Sequence, residues 1–293
     1  MRRTATMLAV LAAACTVEVD ERDVFAPQAK VPSWGDQPND GIAGERYLAD
    51  PTDYPFAEHG LRAHVRHAVT DGVQTSLVSL AQSDAAGRPL IVHCFGNGSD
   101  RWRTGLKYGH KVLPYGDVLL FDYPGYNGAA GEPTPAAFER QADVLAAHVQ
   151  GAYRDRPRAY WGHSLGGFVC AEVAARDAEA AALILETTAP DVRAAADAWV
   201  PWYARPFVRL RIADSLMAYD TPRTAAGVDA PVLVIGAGRD DVLPVRLSRQ
   251  LRDRLEALGA DVTYRELPEA GHFDTSAQEG FDPAVRAFLS GAL

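Results

Sequence analysis

Ala159-Tyr160-Trp161-Gly162-His163-Ser164-Leu165-Gly166-Gly167-Phe168 decides how the rest of this chain is read. A short apolar run able to form a strand meets Gly-His-Ser-Leu-Gly, and an alanine-rich helical run follows. The central residue of so tight a turn is strained, and its neighbours two positions away must lack side chains for strand and helix to approach. Gly162 and Gly166 meet that demand. Ser164 is then held proud at a helix N-terminus, where free amides and the helix dipole favour negative charge. A Gly/Ser-rich turn without chemistry shares this local pattern, so the context decides. Downstream lie the adjacent carboxylates Asp240 and Asp241 and then His272, each just after a strand-like run. A hydroxyl, an acid and an imidazole are the set that nucleophilic acyl transfer needs.

Outward from that stretch, apolar runs and turn signals alternate. The runs 61–69 and 73–81 flank Thr70-Asp71-Gly72 and read as an antiparallel hairpin. His59, His64 and His67 fall on or beside it. Three apart on a strand, His64 and His67 face opposite sides, so they read as surface histidines rather than metal ligands. Pro89 to Phe95 is continuously apolar, as in a strand buried on both faces, and Gly96-Asn97-Gly98-Ser99 follows it. A crossover helix is expected over 102–113, a strand over 117–123, and a helix from Thr134-Pro135 to about 150. The strand 158–161 enters the serine turn and the helix 164–176 leaves it. After a strand at 181–186 the alternation breaks over 187–229, where Trp199, Trp202, Tyr203 and Phe207 mix with arginines. That interval reads as an aromatic cap over an apolar pocket. A strand at 231–235, a helix at 244–258 closed by Gly259, and a strand at 261–267 restore the alternation and lead to Gly271-His272.

Four motifs in this order resemble the α/β-hydrolase superfamily over residues 61–290. They are the Gly-x-Ser-x-Gly turn, the Phe95-Gly96-Asn97-Gly98 loop, Asp122-Tyr123-Pro124-Gly125-Tyr126-Asn127-Gly128, and the Gly271-His272 pair. The resemblance implies an α/β fold with an eight-stranded, mostly parallel sheet, helices on both faces and a short helical cap at about 188–229. It implies two-step acyl transfer in which Ser164 attacks a carbonyl, His272 moves the proton and an aspartate orients His272. Asp240-Asp241-Val242-Leu243-Pro244 is similar to the family's Asp-x-Val-x-Pro signature when counted from Asp240, which selects Asp240 over Asp241. The oxyanion donors become the amides of Asn97 and Leu165, with Gly96 and Phe95 as alternates, because Phe95 stands where the similar loop has histidine. Pro124 stands where the family often has arginine. His163, beside the nucleophile, is expected to face away from it. No cofactor and no metal are implied. The implied substrate is a small-molecule carboxylic ester or thioester. A serine peptidase on the same machinery, or a catalytically silent membrane-tethered binding module, is the alternative.

The 293 residues suit one catalytic domain, here 59–293, and a formal charge of −9 without a basic stripe excludes a nucleic-acid partner. Only Lys30, Lys107 and Lys111 among the 29 basic residues are lysines, which reads as genome composition. Residues 1–14 carry a basic start and a short apolar core and resemble a signal peptide. Leu11-Ala12-Ala13-Ala14-Cys15 is similar to a bacterial lipobox, with Ala12 where leucine is usual. That resemblance implies export to the bacterial cell envelope, cleavage before Cys15 and a lipid anchor on its sulfur; a plain signal peptide with an incidental cysteine is the rival. Residues 15–58, acidic and then rich in proline and glycine, read as a tether and lead-in. Cys94 and Cys170 read as buried small hydrophobes, with a disulfide left open.

Overall fold

The computed structural model describes residues 15–25, 61–70, 73–82, 87–99, 111–126 and 129–293. Ten strands are described in chain order: β1 (Cys15–Val19), β2 (Leu61–Thr70), β3 (Val73–Gln82), β4 (Leu90–Cys94), β5 (Asp117–Phe121), β6 (Arg158–His163), β7 (Ala180–Glu186), β8 (Val208–Ile212), β9 (Val232–Ala237) and β10 (Val262–Leu267). Eight of them form one sheet in the order β10-β9-β7-β6-β4-β5-β3-β2. Only β3 runs against its neighbours, so the sheet is mostly parallel, as expected. Strands β4, β5, β6 and β9 are buried at every position, and an apolar core lies against each face of the sheet.

The helices that position the site are α1 (Glu21–Val24), α2 (Pro135–Ala152), α3 (Leu165–Ala174), α4 (Val192–Trp199), α5 (Thr221–Ala226), α6 (Arg246–Ala257) and α7 (Phe281–Ala292). Thr134 caps α2 through Ala137 N–H, and Asp191 caps α4 through Ala194 N–H. The expected helix at 102–113 and the turn Asp71-Gly72 lie largely outside the described residues.

After β4 the chain turns one way to β5 and then crosses to β6 on the other side of β4. This is the switch point of an open parallel sheet, where the carboxyl ends of two adjacent strands leave a crevice. The register sets Cys94 beside Gly162, so the loop after β4 and the turn after β6 meet there.

Two findings differ from the sequence reading. Residues 15–25, read as the start of a tether, are docked. Strand β1 pairs in parallel with β8 inside the cap, from Cys15↔Val208 to Val19↔Ile212. Alternation is the cause: Val208, Leu210 and Ile212 turn one way and Arg209 and Arg211 the other, so the cap holds a strand between its helices. Phe25, only 1% exposed, then stacks on Phe138 at 5.0 Å and meets Tyr219 edge-on at 6.1 Å. Burying one such ring contributes about 2–3 kcal/mol, enough to hold a short segment down. Cys94 and Cys170 are the second difference, being joined in a disulfide rather than free. They end β4 and sit mid-way along α3, elements that the serine turn presses together.

That pressing is severe. A Cβ on Gly162 would sit 2.3 Å from Gly166 O, and one on Gly166 would sit 2.0 Å from Cys94 O. Backbone, not a movable side chain, fills the space. Gly166→Ala is therefore expected to destabilise the protein by about 3 kcal/mol or more. Urea unfolding against a Ser164→Ala control measures this, and a loss below about 1 kcal/mol would show that strand and helix can separate without cost.

Candidate active site

Ser164 occupies φ 55, ψ −121, a left-handed conformation rare outside glycine. Such strain costs on the order of 1–3 kcal/mol and persists only where the surroundings impose it. They do so here through three hydrogen bonds. Ser164 N–H donates to Glu186 O at 2.9 Å, Gly167 N–H to Ser164 O at 3.0 Å, and Thr188 Oγ1 to Ser164 O at 2.5 Å. The next amide in line, Leu165 N–H, belongs to the first turn of α3, whose donors have no intrahelical acceptor.

The loop after β4 passes directly over this turn. A Cβ on Gly96 would lie 3.1 Å from His163 Nδ1 and 3.4 Å from Ser164 Cβ, so the loop runs against the serine turn at Gly96, and Asn97 follows it. Phe95 is buried, packs 5.2 Å from the Tyr123 ring, and its carbonyl accepts from Tyr123 Oη at 2.5 Å. The Asn97 side chain is fixed from two sides. Its Nδ2 donates to Val24 O at 2.7 Å, and its Oδ1 accepts from Tyr126 Oη at 2.6 Å. The docked N-terminal segment and the loop after β5 thus brace the same residue.

His272 follows β10 and is 3% exposed. Its Nδ1 donates to Asp240 Oδ2 at 2.7 Å, because an ionised carboxylate only accepts. That bond leaves Nε2 as the basic nitrogen. Asp240 Oδ1 accepts from Val242 N–H at 2.9 Å and Leu243 N–H at 2.7 Å. Asp240 is buried and Asp241 exposed, so the structure brings His272 to Asp240 and not to its neighbour. His163 holds the same loop from the other side. Its Nε2 donates to His272 O at 2.8 Å, with the two rings 5.0 Å apart.

Beneath the loop lies a polar cluster that sequence reasoning missed. Glu186, fully buried at the end of β7, accepts from Lys111 Nζ and Thr275 Oγ1, and from Trp161 Nε1 at 2.9 Å. Lys111 Nζ also donates to Thr275 Oγ1 at 3.0 Å. Thr275 is three residues past His272, so the cluster pins the far side of the His272 loop. The one available signal was Lys111 itself, one of three lysines in a chain whose other basic residues are all arginines. Burial alone would raise the Glu186 carboxyl; the Lys111 ammonium overrides it and holds the carboxyl at about 2. Burial pushes His163 down to about 3 and, with Lys111 close by, His93 down to about 4. Among the described residues no group of His, Cys, Asp and Glu side chains could hold a metal ion. His59 and the side chains of His64 and His67 lie outside the described residues.

A strained serine, a buried His–Asp pair and a glycine-lined loop at a sheet switch point are one arrangement. A family model described as alpha/beta hydrolase fold matches residues 90–216. The uncharacterized protein Rv2307c of Mycobacterium tuberculosis is 31% identical over 225 residues, covering 75% of this chain and 76% of its own. The chain belongs to the α/β-hydrolase superfamily. Lysophosphatidylserine lipase ABHD12 of Danio rerio is 25% identical over 220 residues, 68% of this chain and 57% of that protein. Among solved structures, esterase Pf2001 of Pyrococcus furiosus aligns with a TM-score of 0.63 at 14% identity, covering 82% of this chain and 95% of that one. Acetyl xylan esterase from Paenibacillus sp. R4 aligns at 0.61 and 15% identity, covering 82% and 86%. At such identities the likeness is one of fold, and this α/β-hydrolase chain shares that fold with both.

The two buried histidines make the hydrolase acid-sensitive. Both are neutral when folded and regain the ordinary value of 6.5 on unfolding. Below that pH the unfolded chain binds more protons, so stability falls as pH falls toward 4, by up to about 1.4 kcal/mol per pH unit for each histidine. Glu186, lowered from 4.5, adds a further loss between 4.5 and about 2. Urea midpoints from pH 7 to 5 measure the slope, and His163→Gln is expected to remove about one proton's share. A slope unchanged by that substitution would contradict the assignment.

Proposed function

We propose that this α/β-hydrolase is a serine hydrolase that cleaves carboxylic esters, or thioesters, through an acyl-enzyme. The observation that carries the proposal is the buried His272–Asp240 bond, in a loop whose His272 carbonyl is held by His163, the residue before the strained Ser164. Ser164 Oγ attacks the substrate carbonyl while His272 Nε2 takes its proton. Asp240 holds the tautomer and stabilises the imidazolium. The amides of Leu165 and Asn97 donate to the oxyanion, Asn97 being kept in place by Val24 and Tyr126. His272 then protonates the leaving alcohol or thiol, and water repeats the sequence to free the acid. The similarity to a lysophosphatidylserine lipase and the aromatic cap favour an amphiphilic acyl ester as substrate.

We place the protein in the bacterial envelope, anchored through acylated Cys15. The buried Cys94–Cys170 disulfide supports an oxidising compartment, where such bonds persist. Cys15 is exposed and outside any disulfide, as acylation requires. No helix among the described residues is long and apolar enough to cross a membrane.

Ser164→Ala is expected to lower kcat on a short-chain ester by about 10³-fold or more with the fold intact. Asp240→Asn is expected to cost up to about 10⁴-fold, while Asp241→Asn stays within about tenfold. Near-wild-type turnover by Ser164→Ala, or fluorophosphonate labelling that persists in it, would remove the mechanism.

A further inference from the structure

The cap leaves a concentration of large apolar side chains uncovered. Trp199 is 53% exposed, Trp202 79%, Tyr203 64% and Phe207 48%, all within nine residues of chain. Val17, on the paired strand β1, is 41% exposed. Scattered exposed hydrophobics need no explanation, but a contiguous patch on a soluble surface does. Charge sets this patch apart as well. Between Ala198 and Ala213 there are three arginines and no carboxylate, in a chain of net charge −9. Of the three, Arg211 pairs with Glu18 at 3.3 Å across the strand pair. Arg205 and Arg246 line a recess of about 310 Å³ together with Val200, Val208, Leu210 and Asp197.

Exposed indole and phenol rings, in the same short stretch as the Arg205 guanidinium, make up a surface suited to a bilayer interface. The rings seat at headgroup depth and the arginines meet anionic phosphates. The strand register fixes the orientation. Cys15 pairs with Val208, the residue after Phe207, so nothing spaces the first residue of β1 from the patch. Acyl chains on Cys15 would enter the bilayer beside Phe207 and hold this face against it. The face also reaches the candidate active site: Trp199 Nε1 donates to Val242 O at 2.9 Å, and Val242 N–H donates to Asp240.

We propose that residues 199–207 of the cap, together with the side of β1 that carries Cys15 and Val17, form a docking face for the surface of an anionic lipid bilayer. The orientation rests on the acylation of Cys15 proposed above; the face itself does not. Docked this way, the rim of the site lies at the interface, and a single-chain acyl lipid enters without crossing water.

The test uses the mature protein reconstituted into vesicles of phosphatidylcholine and phosphatidylglycerol, part of the phosphatidylcholine carrying brominated acyl chains that quench indoles at contact. Tryptophan emission is expected to be quenched, with Trp202→Phe removing about half or more of the quenching, because that indole is the most exposed among the described residues. Replacing phosphatidylglycerol by phosphatidylcholine, or Arg205→Glu, is expected to reduce it at least about twofold. Unquenched emission, or quenching unchanged in Trp202→Phe, overturns the proposal, as does a dimer in solution formed through Trp202. Hydrolysis of a water-soluble ester by the same samples reports the catalytic proposal separately, and the mass of the Cys15 peptide reports acylation. An unacylated chain whose Trp202 is still quenched keeps the docking face and loses only the anchor.

Discussion

Backbone contact between the end of β6 and the first turn of α3 is the constraint on which the rest of the molecule depends. With Gly162 against Gly166 and Gly166 against Cys94, three chain segments meet at van der Waals limit and nothing larger than hydrogen fits between them. This closeness forces Ser164 into its left-handed conformation and lifts its side chain off the sheet. It also brings Cys94 within 5.7 Å, Cα to Cα, of Cys170, so the cross-link follows from the packing rather than producing it. A loosely packed core on both faces could not hold such a turn; the unbroken burial of β4, β5, β6 and β9 is what confines the strain to one residue.

The loops that carry the other candidate groups are irregular, and buried polar contacts do for them what the sheet does for Ser164. His272 is held through its carbonyl by His163 and through Thr275 by Glu186 and Lys111. Asn97 is held by Val24 and Tyr126. A buried ammonium–carboxylate pair recovers little net stability once both ions have left water. Its value here is geometric. It fixes a loop of otherwise free backbone so that the imidazole does not have to be ordered when substrate arrives.

The sheet was legible in the sequence because strands such as β4, β5, β7 and β9 are largely apolar runs bounded by glycine, proline or a charged turn. Asp240 was legible for a reason the structure makes plain: its Oδ1 caps the amides of Val242 and Leu243, which ties the carboxylate to the residues that follow it. The Lys111–Glu186–Thr275 cluster was not legible. Its members stand 75 and 164 residues from Lys111, and none has a local pattern that foretells the meeting. The docked N-terminus was misread for a different reason. Val17 and Val19 alternate with Thr16 and Glu18 as a strand should, but acidic neighbours and a run of prolines and glycines beyond 25 gave the whole stretch the look of a spacer. Only the partner strand, in the middle of the chain, turns that alternation into structure.

That partner comes late. Glu18 and Arg211, which face each other across the pair, are 193 residues apart in a chain made from its N-terminus. Strand β1 is synthesised well before β8 and must wait for the cap before its edge is covered. Contacts of such long range close slowly, and an uncovered strand edge is meanwhile open to any other extended chain. A chain stopped short of Val208 would carry β1 without the strand it pairs with, whatever the state of its sheet. Closure of β1 on β8 therefore marks the point at which the early N-terminal strand and the cap have become one body.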